Sequence, residues 1–344
     1  MRIGSGRLAV ILAAAASTFG LAACSETSIG SFNVEPPNPP QLEARLRVDR
    51  AVQTPVPAVD VLWVIDNSRS MAEEQRALSD NFNSFMRFFL DSGLDYHVGV
   101  LSTSYDYPDE RGKLRTISGD KWIDESTRDP VGMFQDMALM GTEGDDVEKG
   151  RDQVYGAIQH LSSEGSYNEG FYREDAALAV IVISDEDDQS AIKTVPQFVD
   201  WMLDLKFERE RVSFSSIVGP EGGCNGAGGK AYEGTDYLRI TREVGGIDWP
   251  ICDGDWATVL EDLGVQVAGL QREFYLSAVP VEDTLTVWVD VDGEREDFTE
   301  GADFDYSRTR NSVRFRQYVP EPQAQVFVEY EPLAEARASE IQAE

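Results

Sequence analysis

Histidine is nearly absent from this chain: only His97 and His160 occur in 344 residues. One lies in a stretch that reads as a strand and the other on a helical stretch. Neither has a cysteine close by, which argues against a zinc site. No G-x-S-x-G elbow is present either, so a hydrolase would lack both its nucleophile turn and its base. The chain is therefore expected not to be an enzyme. Basic residues are short as well: 30 Lys and Arg face 62 Asp and Glu, a formal net charge of −32. Such a surface repels nucleic acid and anionic lipid, and both are set aside as partners. Cysteine occurs three times, as Cys24, Cys224 and Cys252, and no internal repeat is visible. The hydrophobic content of 42% is ordinary and suffices for one medium domain with a smaller companion.

The three cysteines divide into two roles. Arg2 and Arg7 precede an apolar, small-residue stretch from Leu8 to Ala23, too short and too poorly flanked for a spanning helix. It ends Leu21-Ala22-Ala23-Cys24, which resembles the lipobox of bacterial lipoprotein signal peptides. The resemblance implies a signal peptide over 1–23, removal of that leader and lipidation of Cys24, with several acyl chains giving a stable anchor. Ser25 in place of an aspartate favours the outer membrane of the cell envelope, by resemblance to Gram-negative sorting. The membrane would then be met through the anchor alone. Cys224 and Cys252 remain, and a pair in an exported, oxidising compartment reads as one disulfide.

Residues 24–42 carry Pro36, Pro37, Pro39 and Pro40 and read as a stiff, extended spacer. A leading strand is expected within 43–56, where Leu46, Val48 and Val52 alternate with charged neighbours. From 57 to 271, apolar β-rich runs alternate with helical patterns. Val59–Ile65, Val98–Ser102, Ala177–Ser184 and Val212–Val218 read as strands, with a short one at Lys113–Ser118. Ala72–Leu90, Val147–Leu161, Val195–Leu205 and Trp256–Leu270 read as helices, the last with a break at Gly264. This alternation predicts an α/β, Rossmann-like, mostly parallel sheet flanked by helices. From 272 to 333 the texture changes to strict two-residue alternation with a hairpin signal at Asp292-Gly293, predicting a small all-β domain. The strand near Val48 is a candidate to join it. Residues 334–344 form an acidic tail.

Two of the buried strands end in aspartate, Asp66 and Asp185, and ligands of parallel sheets bind beyond the carboxyl ends of strands. Ser68 and Ser70 follow Asp66 at a spacing of two, which lets the three side chains converge in an extended turn. Oxygen donors of this kind suit a hard divalent cation, above all Mg2+, with Mn2+ or Ca2+ as alternatives.

Asp66-Asn67-Ser68-Arg69-Ser70 resembles the D-x-S-x-S motif of von Willebrand factor type A domains and sits between the first strand and first helix, as in that family. The stretches VDVLWVIDNSRSM and VIVISDEDD look like bacterial exported lipoproteins of this type. The resemblance covers roughly residues 57–270. It implies a further ligand, matched by Thr142 with Thr103 as the alternative, and it matches Asp185 to the family's later aspartate. It also implies that Ser68, Ser70 and Thr142 give neutral oxygens while Asp66 and Asp185 act through water. A protein partner's acidic side chain would then complete the ion's shell, so the implied function is metal-dependent protein binding and adhesion.

Blander readings compete. Ser70-Met71-Ala72-Glu73 and Thr142-Glu143-Gly144-Asp145 each fit a helix capping box. Asp185-Glu186-Asp187-Asp188 reads as a solvated loop more readily than as a second cation site. Asp290, Asp292 and Gly293 need be no more than a turn. The glycine-rich stretch Gly219–Gly234 mimics a phosphate loop but lacks its first glycine and its Ser/Thr. The alternative to an adhesion function is a structural envelope lipoprotein with a degenerate metal site and no metal-dependent ligand.

Overall fold

The computed structural model describes residues 46–90 and 92–334. The leader, Cys24, the proline-rich spacer and all but the first residue of the acidic tail lie outside them. The chain runs β1 (Arg47–Val52), β2 (Ala58–Ile65), α1 (Ala72–Met86), β3 (Asp95–Ser102), β4 (Trp122–Ile123), α2 (Pro130–Ala138) and α3 (Gly150–Tyr155), the last prolonged by a π turn to His160. It continues through β5 (Ala177–Ser184), α4 (Val195–Leu203), β6 (Val212–Val218), β7 (Cys224–Gly226), β8 (Gly229–Ala231), α5 (Thr235–Val244), β9 (Asp248–Pro250) and α6 (Trp256–Val267). Apart from β1 and the β7–β8 pair, these elements form one layered unit, a six-stranded sheet ordered β4-β3-β2-β5-β6-β9 with helices on both faces. All its pairings are parallel except β3 with the edge strand β4. The mixed α/β class with a mostly parallel sheet is thus the one expected from the alternation of elements.

The core explains the pattern. β2 and β5 are buried on both faces, so they read as unbroken apolar runs. On one face Trp63 meets the rings of Phe82, Phe85 and Phe134 edge-on, with centroids 5.9, 5.2 and 5.4 Å away. Full burial of each such side chain contributes about 1.5–3 kcal/mol, which fixes α1 and α2 to the sheet. α6 packs beside α1, and Gly264 is what permits the approach: a Cβ there would lie 2.6 Å from the Phe85 carbonyl oxygen. The glycine serves packing, and the helix runs on through it rather than breaking. α3, α4 and α5 cover the other face around Phe198, Phe214 and Tyr237. Among the described residues no helix is long and apolar enough to cross a membrane.

The rest of the chain is antiparallel. β10 (Glu273–Tyr275), β11 (Thr286–Val291), β12 (Glu294–Phe298), β13 (Phe304–Ser307), β14 (Ser312–Phe315) and β15 (Gln325–Tyr330) form two sheets, β1-β15-β11-β12 and β10-β14-β13. Asp292 and Gly293 both have positive φ, 53° and 88°, as the two-residue turn between β11 and β12 demands. β1 pairs along its length with β15, so the chain starts in this β region, builds the α/β unit and returns. Gln53 stands at the crossing. Its side-chain amide donates to the Gln271 and Pro320 carbonyls and its side-chain oxygen accepts from the Gln271 N–H.

One expected strand fails, two helices come unannounced, and the expected disulfide forms. Lys113–Ser118 forms no strand, only an isolated bridge between Ile117 and Asp120, and the sheet edge is Trp122–Ile123. α2 and α5 carried no clear periodic signal. The glycine-rich stretch contains the β7–β8 hairpin, closed by the Cys224–Cys252 disulfide with Cα atoms 6.1 Å apart.

Candidate metal centre

β2 and β5 are the neighbours from which the chain winds in opposite directions, through α1 to β3 on one side and through α4 to β6 on the other. Their carboxyl ends therefore flank the switch point of the sheet, where loops part and leave a crevice. Ile65 is paired with Ile183, so Asp66 and Ser184 leave the sheet side by side. The Asp66 N–H donates to the Ile183 carbonyl at 3.0 Å. Ser184 Oγ donates to Asp66 Oδ2 at 2.7 Å, and the Ser68 N–H donates to Asp66 Oδ1 at 2.7 Å. Asp66 is fully buried and held by both oxygens.

The chain then makes a short 3-10 turn, Arg69–Met71, before α1. Neither Ser68 nor Met71, the residues that precede the turn and the helix, caps with its side chain. Ser70 therefore does not complete the expected capping box. Its hydroxyl lies 3.2 Å from that of Ser68. Asp185, one residue past β5, is 6% exposed, and its Oδ1 has no hydrogen-bond partner. The structure thus brings Asp66, Ser68, Ser70 and Asp185 to one place.

Two more loops close on it. Gln75 donates from its amide to the Asp66 and Gly141 carbonyls, both at 2.9 Å. The Gly144 N–H donates to the Asn67 carbonyl at 2.9 Å, and a Cβ on Gly144 would lie 2.4 Å from Asn67 Oδ1. Ser104 Oγ bridges Asn67 Oδ1 and the Asp145 N–H, each at 2.8 Å. Thr142 sits half-buried in this loop, and among the described residues its hydroxyl makes no hydrogen bond. It caps no helix, since α3 starts at Gly150. Thr103 and Glu148 are the residues that sink inward. Both are fully buried, and the Thr103 hydroxyl and both Glu148 carboxylate oxygens lack partners. The sequence offers little warning of Glu148, which reads as the second residue of the helix expected over Val147–Leu161, whereas the observed helix starts at Gly150.

Charge at this place is unbalanced. Burial pushes the Asp66 carboxyl up to about 6, against the pull of the Ser184 and Ser68 hydrogen bonds, and Asp185 adds to the rise. Burial first, and then Asp66, push Glu148 up to about 9. The Thr103 hydroxyl eases this by proximity, without hydrogen-bond geometry. Burial also raises Asp185, with Ser70 nearby opposing it. Among the described residues no Lys or Arg forms an ion pair with these three acids; Arg151, the neighbouring cation, is taken up by Asp188 and Asp236. Buried carboxylates without a counter-charge are costly. A divalent ion supplies the missing charge, and the orphaned oxygens fit one. Among the described residues no three Asp, Glu, His or Cys side chains close on a single point. An ion here therefore needs hydroxyl and water oxygens in its shell as well.

The Asp185–Asp188 stretch is not a solvated loop. Asp188 is buried, bonded to Arg151 and to the Tyr237 hydroxyl at 3.0 Å. Asp187 Oδ1 accepts from the Asp236 N–H at 2.9 Å. These bonds brace the back of the centre.

No family model matches the chain, and no curated protein matches it in sequence. Solved structures do resemble it. One is a von Willebrand factor type A protein from Catenulispora acidiphila, at 10% identity and a TM-score of 0.40 over 83% of this chain and 65% of that one. Another is proximal thread matrix protein 1 of the mussel byssus, at 14% and 0.41 over 67% and 52%. A third is the pilus adhesin SpaC from Lactobacillus rhamnosus GG in an open conformation, at 10% and 0.42 over 83% and 40%. This chain spans less than two thirds of the length of each. At these values the likeness says nothing of ligand or partner.

Proposed function

We propose that this chain is an exported, lipid-anchored binding protein of the cell envelope. Its α/β unit holds one divalent cation, Mg2+ or Mn2+ ahead of Ca2+, between Asp66, Ser68, Ser70 and Asp185, under the loop that carries Thr142. The ion engages an acidic side chain of a protein partner, and no bond is made or broken. The observation that carries the reading is the set of buried, unpartnered acid and hydroxyl oxygens beside Asp66, with no cationic side chain paired to them among the described residues. Hard oxygen donors of mixed charge suit such an ion. The non-catalytic part of the proposal is supported by His97, which is engaged elsewhere, with Nδ1 2.9 Å from the Phe171 carbonyl oxygen and 3.6 Å from Asp60. Anchoring through Cys24, and placement at the outer membrane, rest on the lipobox resemblance alone.

The test is calorimetric titration of the chelator-treated full chain with MgCl2 and MnCl2, beside Ser68→Ala/Ser70→Ala. One-site binding that disappears in the variant supports the reading. A wild type that takes up neither ion overturns it and leaves a structural envelope protein.

A further inference from the structure

Glu148 is not among the ion's ligands in that reading, yet its surroundings single it out. Its backbone is fixed from both sides: the Glu148 carbonyl accepts from the Gln189 N–H at 2.7 Å, and the next N–H, of Lys149, donates to the Thr103 carbonyl at 3.1 Å. Loops after β3 and β5 thus set its position. Its side chain is fully buried, both carboxylate oxygens lack a donor, and the equally buried Thr103 hydroxyl beside it lacks a partner too. The charges that act on it most strongly, Asp66, Glu186 and Asp185, are all of its own sign. A bound cation would satisfy donor-free carboxylate oxygens in such a place. Thr142 shows none of these features: it is half-buried, and among the described residues its hydroxyl makes no hydrogen bond.

We infer that Glu148, with Thr103 beside it, supplies the ion's oxygen from the third loop, the role the sequence motif assigned to Thr142. This rests on the metal-site reading and changes its charge balance. Among the described residues no three acid side chains close on one point, so the two aspartates act through water while Glu148 reaches the ion; the aspartates balance a divalent charge, and the third carboxylate leaves the centre with one net negative charge. The free chain then holds the ion by itself. An acidic side chain of a partner has to exchange with Glu148 instead of adding to an incomplete shell.

The experiment is Mn2+ titration of the chelator-treated full chain in four forms: wild type, Glu148→Gln, Thr142→Ala and Ser68→Ala/Ser70→Ala. Thermal unfolding is recorded with and without Mn2+. Glu148→Gln is expected to weaken Mn2+ binding about tenfold or more, the scale seen when a metal's supporting groups are removed. Thr142→Ala is expected to leave binding unchanged. In chelator Glu148→Gln should melt no lower than wild type, because the amide keeps the shape of the acid and carries no charge at any pH, so weak binding cannot be ascribed to misfolding. Wild-type affinity in Glu148→Gln, with loss in the serine variant, overturns the assignment of Glu148 and leaves the metal site standing. Absence of binding in the wild type overturns both.

Discussion

Ser184 Oγ donates to Asp66 Oδ2 at 2.7 Å, across the seam where β2 and β5 run side by side. The same hydroxyl accepts from the Glu186 N–H at 3.1 Å, so one buried group joins the first aspartate of the centre to the loop carrying Asp185. Ser184→Ala leaves a buried carboxylate oxygen and a half-buried N–H short of partners. The expected cost is about 1–3 kcal/mol, read from the urea midpoint. The variant should also bind Mn2+ more weakly than wild type. An unchanged midpoint would show that water replaces the hydroxyl at no cost.

The metal-free protein should lose stability as pH rises. Asp66 and Glu148 have folded-state values of about 6 and about 9, above their ordinary values of 3.8 and 4.5, chiefly through burial. The folded state therefore binds more protons than the unfolded chain between those limits. The stability these groups contribute is full below about 4 and is lost as pH climbs through 6 and then 9. In chelator, the Tm should fall between pH 5 and pH 8, and it should fall less in Asp66→Asn. Mn2+ should flatten the profile by neutralising the same carboxylates. A Tm that rises over this range in wild type and Asp66→Asn alike would show that other groups dominate.

How far the sequence reveals this arrangement depends on how local each feature is. β5 is legible because eight consecutive buried positions are apolar, small or β-branched, Ala177 to Ser184. Asp66 and Asp185 are legible because they end such strands. α5 is not, since its buried residues Tyr237, Leu238, Ile240 and Thr241 stand among charged ones just after a glycine-rich stretch. β4 is only two residues of edge pairing. Glu148 is hidden for a different reason. Its burial is made by loops from β3 and β5, distant in sequence, while the sequence shows it only as an acid in the first turn of an expected helix. The alternative ligand Thr103 shares this dependence on tertiary packing.

The Cys224–Cys252 disulfide should matter to the centre as well as to stability. It ties the β7–β8 hairpin to the loop before α6. From that hairpin region the Tyr232 N–H donates to the Asp185 carbonyl at 2.8 Å. Gly229 lies against Glu74 so closely that a Cβ would meet its carboxylate at 2.6 Å. Closing a loop of sequence separation 28 stabilises by roughly 3–4 kcal/mol in the chain-entropy model. Cys224→Ala/Cys252→Ala should lower the urea midpoint accordingly and weaken Mn2+ binding as the Asp185 loop loosens. Mn2+ affinity equal to wild type in the folded variant would confine the bridge to a stabilising role.

The far end of β2 provides a control. Asp60 is fully buried six residues before Asp66. Arg173 holds it through Nε to Oδ1 at 2.8 Å and through its own N–H to Oδ2 at 2.6 Å. Burial raises the Asp60 carboxyl, and Arg173 is the main group opposing that rise. Arg173→Met removes the counter-charge and leaves the aspartate stranded in the sheet, at an expected cost of about 3–5 kcal/mol. Adding Asp60→Leu should recover part of that loss, because the double variant buries no charge, and the cycle measures the coupling directly. Both variants, while folded, should bind Mn2+ as wild type does, since the pair lies at the opposite end of the strand from Ser68. Loss of Mn2+ binding in the folded double variant would show that the two ends of β2 are coupled, and the Asp66 results would then need to be read through that coupling.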